Sequence, residues 1–240
     1  MRQIKLRHYK EGSPQKILAS IYEDLSHSRY GRQSWDLIVE LLADKLRPME
    51  LAAHGISLLP ETKHKELADE FSEPLEHYIV AARENPWDYL GEVFIENSLG
   101  SKGLGQNLTP KGVVDAMIKM TFPEEIKKVQ TVLDPCIGTG RFLIEASLLY
   151  PKAPLILYGV EIDLSLYRAC VVNMSMFSKH LFSIICADTL RLDPELSGCN
   201  SPLWLLGNWW DPPDAISKFY AKEPTITAKT FSLTDWTKKK

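Results

Sequence analysis

Asp134, Glu161, Asp188 and Asn208 each close a short apolar run. The runs are Val132-Leu133-Asp134, Leu155-Ile156-Leu157-Tyr158-Gly159-Val160-Glu161, Ser183-Ile184-Ile185-Cys186-Ala187-Asp188 and Leu203-Trp204-Leu205-Leu206-Gly207-Asn208. Runs of this kind, alternating with helical patterns, predict strands of a parallel sheet, and each polar residue then stands at a strand's carboxyl end. Open parallel sheets bind their ligands along that edge. A single acid at a strand end reads as an ordinary surface residue, whereas four polar tips in succession read as a site. Ionised carboxylates only accept hydrogen bonds, so the groups they suit are hydroxyls, amines and ammonium.

The first two runs are joined by Pro135-Cys136-Ile137-Gly138-Thr139-Gly140-Arg141, after which Phe142-Leu143-Ile144-Glu145-Ala146-Ser147-Leu148-Leu149 takes up a helical period. This predicts strand, tight loop, helix. Gly138 and Gly140 let the backbone come close to a ligand where a Cβ would clash. The helix behind them offers free N–H groups and the positive end of its dipole. A lone Gly-x-Gly is also found in plain strand-to-helix turns. The added feature is Glu161, about 20 residues past the glycines, the spacing at which βαβ units place an acid on ribose hydroxyls. A nucleoside-type cofactor is therefore expected. Leu143 stands where the dinucleotide fingerprint needs its third glycine, which argues against hydride transfer.

Helices must hold this edge in place. Within the sheet region they are expected at 141–149 and 165–177. Thr109-Pro110 opens another, with Thr109 as N-cap, Pro110 as first helical residue, and Val113, Val114, Met117 and Ile118 inward. Upstream, helical spacing predicts helices over 14–25, over 35–46 with Ser34 as cap and Pro48 as stop, over 61–83 with a kink or break at Pro74, and over 86–96. The Gly-rich stretch 100–108 lacks the Walker lysine pattern and is not read as a phosphate loop. The chain divides on this reading into an N-terminal helical region, 1–85, with no nameable chemistry, and an α/β domain, 86–240.

Bulk properties narrow the class. Of 240 residues 45% are apolar and 25% charged, an ordinary globular balance. A net charge of −3 does not advertise nucleic-acid binding, although a local basic patch is compatible with it. The four cysteines, 136, 170, 186 and 199, lack metal-ligand spacing, and because three of them lie in or beside apolar runs the reading is buried free thiols in a reducing cytoplasm. No metal site, membrane span or signal peptide is expected.

Taken in order, the Thr109-Pro110 helix, Asp134-Pro135-Cys136-Ile137-Gly138-Thr139-Gly140-Arg141-Phe142-Leu143, Gly159-Val160-Glu161-Ile162-Asp163, Ala187-Asp188-Thr189-Leu190 and Leu205-Leu206-Gly207-Asn208 resemble S-adenosylmethionine-dependent DNA adenine-N6 methyltransferases. The resemblance is nearest to the methylation subunits of type I restriction–modification systems and runs from about Trp87 to Asn208. It implies a Rossmann-like class I methyltransferase sheet. In that family's terms the Gly138–Gly140 loop, with Asp134 and Pro135, lies under the methionine part of the cofactor, and Asp134 faces its ammonium. Glu161 takes the ribose hydroxyls, Ile162 packs on the adenine, Asp188 accepts from the adenine amino group, and Thr109 and Pro110 close over the methionine end. Asn107 and Leu108 stand where the family's Gly-Gln-Phe-(Phe/Tyr)-Thr-Pro segment has aromatics.

The departure lies after the fourth run. The family has Asn-Pro-Pro-(Tyr/Phe), whose carbonyls accept from the exocyclic amine of a flipped base while the aromatic stacks on it. Here the chain reads Asn208-Trp209-Trp210-Asp211-Pro212-Pro213-Asp214. Asn208 is in place, and Trp209 or Trp210 would serve as stacking platform or fill the pocket instead. The short tail after Asn208 implies a truncated sheet, completed by a specificity subunit or a second copy. Three readings stand: an adenine-N6 methyltransferase acting on DNA, a catalytically degenerate methyltransferase-like module that binds DNA or protein, and, with less support, a methyltransferase of another planar amine in RNA or a protein glutamine.

Overall fold

The computed structural model describes residues 12–28, 30–54, 59–97, 99–100 and 106–191. Five helices come first: α1 (Pro14–Ser26), α2 (Ser34–His54), α3 (Lys65–Glu70), α4 (Ser72–Glu84) and α5 (Tyr89–Glu96). Then follow α6 (Lys111–Thr121), β1 (Gln130–Asp134), α7 (Arg141–Leu149), β2 (Leu155–Glu161), α8 (Leu164–Phe177) and β3 (Leu181–Cys186).

Among the described residues the strands form one parallel sheet in the order β1-β2-β3. Asp134 lies opposite Gly159, and Glu161 lies opposite Cys186. The expected α/β architecture with a helical N-terminal region is therefore present. β2 is the central strand and is buried along nearly its whole length, which its run of large apolar residues requires. The fourth expected strand, 203–207, lies outside the described residues.

Buried side chains from the helical region (Leu18, Ile21, Ile38, Leu42, Leu75, Val93) and from the sheet region (Leu143, Leu157, Val171, Ile184) form one continuous cluster. Tyr158 and Val160, one position out of phase on β2, point to the other face and pack with Ile156, Ile185 and Ala187.

Local expectations meet three corrections. α2 does not stop at Pro48 but carries it inside the helix. Pro48 is exposed, while Leu37, Ile38, Leu41, Leu42 and Leu46 are buried, so the core packing of the preceding turns offsets a cost of about 3 kcal/mol for proline within a helix. Ser34 is the first residue of α2 and not its cap, because its hydroxyl donates back to the Gly31 carbonyl at 2.6 Å. The expected helix over 61–83 divides at Phe71, and Pro74 falls in the first turn of α4, where a missing N–H costs nothing.

Candidate functional site

The loop after β1 is fixed by backbone before any side chain acts. The Ile137 N–H donates to the Val160 carbonyl at 3.0 Å, which folds the loop across the end of β2. This brings the Gly138 N–H to 2.8 Å from Glu161 Oε2. Glu161 Oε1 accepts from the Asp163 N–H at 2.9 Å, so one carboxylate ties together the loops after β1 and β2. The carboxylate as a whole keeps further acceptor capacity toward a ligand. Asp134 Oδ1 accepts from the Cys136 N–H at 3.1 Å, and Asp188 Oδ1 from the Leu190 N–H at 3.0 Å. The Thr189 hydroxyl donates to the Pro135 carbonyl, joining the loop after β3 to the loop after β1.

The result is a cleft of about 730 Å³. Thr109, Asp134, Pro135, Gly138, Glu161, Ile162 and Asp188 all line it. Three of the four strand tips thus come together on one rim, in the order of their strands. The fourth tip, Asn208, lies outside the described residues, as do Trp209 and Trp210. Ile162 is 56% exposed at the cleft and offers an apolar face to whatever enters. Pro110 does not line the cleft. It is the N-cap of α6 in extended conformation, and the expected cap Thr109 stands one residue before it. The two glycines have different jobs. Gly138, at φ +58, lines the cleft, and a Cβ there would lie 3.0 Å from Leu108 Cδ2. Gly140, at φ +97, is buried away from the cleft, and its Cβ position faces Cys170 Sγ at 3.1 Å. Cys170 and Cys186 are buried as expected, but Cys136 is exposed in the loop. Burial pushes the Cys186 thiol up to about 11, so it stays protonated near neutrality.

The carboxyls of Asp134 and Glu161 are both raised from the ordinary carboxylate value, chiefly by burial. Backbone N–H bonds from Asp163 and Gly138 oppose the rise at Glu161. The folded protein holds these protons more tightly than the unfolded chain. The stability they contribute is present below the unfolded values and is lost as pH rises through the raised ones. A ligand that donates hydrogen bonds to the carboxylates favours the ionised form instead. Its binding should release protons and tighten as pH rises through the raised values. Calorimetry in buffers of different ionisation enthalpy checks this, and an affinity flat across that range would contradict it.

Beside the cleft, and reaching it through Arg141, lies a polar hub that the sequence patterns did not reveal. Asp88, the fully buried N-cap of α5, accepts four hydrogen bonds. Oδ1 takes the Gly91 N–H and Asn173 Nδ2, each at 2.7 Å. Oδ2 takes the Thr139 hydroxyl at 2.5 Å and Arg141 Nε at 2.6 Å. Arg141 extends its other nitrogens to the Thr109 carbonyl at 3.0 Å and Glu92 Oε1 at 2.7 Å. One signal for the hub was legible. Arg141 is the first residue of α7, where a cation opposes the helix dipole and so demands a partner.

Among the described residues no group of three or more histidine, cysteine or acidic side chains could hold a metal ion, and no helix is long and apolar enough to cross a membrane. Residues 87–200 match the family model described as N-6 DNA Methylase, the family expected from the sequence. No curated protein matches the chain. Among solved structures, a class I S-adenosylmethionine-dependent methyltransferase assigned in Listeria monocytogenes aligns with a TM-score of 0.52 at 14% identity, over 75% of this chain and 55% of its own. At that identity the likeness is one of fold, and this chain spans about half of the Listeria protein's length.

Proposed function

We propose, from the N-6 DNA methylase match of residues 87–200, that the protein is an S-adenosylmethionine-dependent methyltransferase acting on adenine N6 in DNA. The observation that carries the reading is the convergence of Asp134, Glu161 and Asp188 on one cleft floored by the bare Gly138. The set of acceptors fits an elongated nucleoside bearing an amino acid. Its order across the sheet is an acid for an ammonium at β1, a buried acid for ribose hydroxyls at β2, and an acid for an adenine amino group at β3, with Ile162 beside it.

When bound, the cofactor supplies an electrophilic methyl group on sulfonium. The chain's own residues bind and orient. Glu161 holds the Gly138 loop in register while accepting from hydroxyls, and Asp134 neutralises the ammonium. Asn208 would accept from the target amine and aim its lone pair, so that catalysis is mainly positioning. Trp209 or Trp210 would stack on the displaced base. DNA is the expected partner, with sequence recognition left to a specificity subunit or a second copy, as in restriction–modification systems. A cytoplasmic setting suits the free thiols.

The sequence Asn208-Trp209-Trp210-Asp211 favours a second reading, because it lacks both prolines and the expected aromatic of the family's catalytic quartet. On that reading the chain keeps the cofactor cleft and acts as a binding module. Incubation with labelled cofactor and mixed DNA decides between the two. Label in adenine N6, abolished by Asn208→Ala with cofactor affinity intact, supports the enzyme. Cofactor binding without transfer under the same conditions supports the module.

A further inference from the structure

Residues 106–109 line the cleft, and the segment 106–111 is fastened at three points. Gln106 Nε2 donates to Asp163 Oδ2 at 2.9 Å, beyond β2. The Thr109 carbonyl accepts from Arg141 Nη1 at 3.0 Å. Lys111 Nζ pairs with Glu145 Oε1 at 2.7 Å on α7. The two cations of this set also lie over one ring, with Lys111 Nζ 4.5 Å and Arg141 Cζ 5.3 Å from the centre of Trp87. Trp87 Nε1 in turn donates to Glu92 Oε1 at 3.1 Å, the oxygen that Arg141 Nη2 also reaches. Arg141 is 5% exposed and its partner Asp88 is 0% exposed.

These contacts are unevenly distributed along the site. Asp188 and Ile162 lie in the loops after β3 and β2. Thr109 lies at the β1 end, since its carbonyl is bonded to the residue that directly follows Gly140. The β1 end is also where Asp134 would receive an ammonium. The hub therefore bears most directly on the amino-acid half of the cleft, and it meets Glu161 only by way of the Gly138-Thr139 loop.

We propose that Arg141 is a positioning residue which latches Thr109 over the amino-acid end of the cleft, using Asp88 and Glu92 of the helical layer as its anchor. Arginine is needed because three fixed directions, to Asp88, Glu92 and the Thr109 carbonyl, must be served by one planar fork. Lysine would keep a charge beside Asp88 but could not hold the other two contacts. This inference rests on the proposed cofactor, and it adds a dependence of one half of the cofactor site on the docking of α5.

The test is a comparison of two ligands by calorimetry on the full chain. S-Adenosylhomocysteine carries both halves, and methylthioadenosine lacks the amino acid. Arg141→Lys is expected to weaken S-adenosylhomocysteine by about tenfold or more, as for the loss of one to two charge-assisted hydrogen bonds, and to leave methylthioadenosine within about twofold. Glu92→Ala, at a half-exposed anchor, keeps the test open if Arg141→Lys fails to fold, and is expected to give a smaller split in the same direction. A variant that weakens both ligands alike, or neither, overturns the latch while leaving the cofactor assignment standing. Wild-type protein that binds neither ligand overturns the proposed function and the latch together.

Discussion

Asp88→Ala is expected to cost about 3–5 kcal/mol of unfolding free energy, the range for removing one member of a buried ion pair. In a chain of this size that corresponds to a fall of roughly 10 °C in melting temperature. The size follows from what is left behind. Arg141, 5% exposed, would lose its closest anion, 2.6 Å away, and Thr139, Asn173 and the Gly91 N–H would each lose an acceptor. A buried donor without a partner costs its full desolvation, not the modest net worth of one bond. Asp88→Asn keeps the shape and one acceptor oxygen, and should cost clearly less than the alanine. Thermal or denaturant unfolding of both variants measures this. An alanine variant within about 1 kcal/mol of wild type would mean that the hub does not hold α5, the glycine loop and α8 together.

Gly138→Val is expected to weaken binding of S-adenosylhomocysteine by at least about 100-fold while leaving a cooperative fold. Gly138 sits at φ +58, where a β-branched residue is strained by about 1–3 kcal/mol. A Cβ at this position would also stand 3.0 Å from Leu108 Cδ2, so the loop, the 106–110 segment, or both must give way. Either shift pulls the Gly138 N–H from Glu161 and opens the floor of the cleft. The clash is with Leu108 first and with a ligand only second, so Leu108→Ala should restore part of the affinity. Gly140 provides a contrast. It faces Cys170 and Met174 in the interior, and its substitution should act on stability before binding.

The strand tips and the glycine loop were legible because their signals are local. An apolar run, an acid and a Gly-x-Gly within a dozen residues leave little freedom, and Asp134, Gly138, Glu161 and Asp188 meet where that pattern puts them. Helix ends were less legible. Whether Pro48 stops a helix depends on how strongly the turns before it are held by the core, which no window around residue 48 contains. Thr109 lost its expected capping role by one residue, and its carbonyl gained a partner in Arg141. The hub was hidden for a related reason. Asp88 and Arg141 are 53 positions apart, and pairing over such separations is set by packing, not by spacing. The cation at the start of α7 was the one local sign that an acid had to be near. The segment beginning at Asn208, expected from the resemblance to hold the catalytic quartet, lies outside the described residues.

The central claim is that the carboxyl edge of this sheet is a site for S-adenosylmethionine centred on Glu161. Calorimetric titration of S-adenosylhomocysteine into wild type and Glu161→Ala tests it most directly. Saturable binding by wild type, weakened at least tenfold in the variant through loss of about 1.5 kcal/mol or more of hydrogen bonding to a charged acceptor, is the predicted result. No binding by wild type, or equal affinity in a folded Glu161→Ala variant, would contradict it.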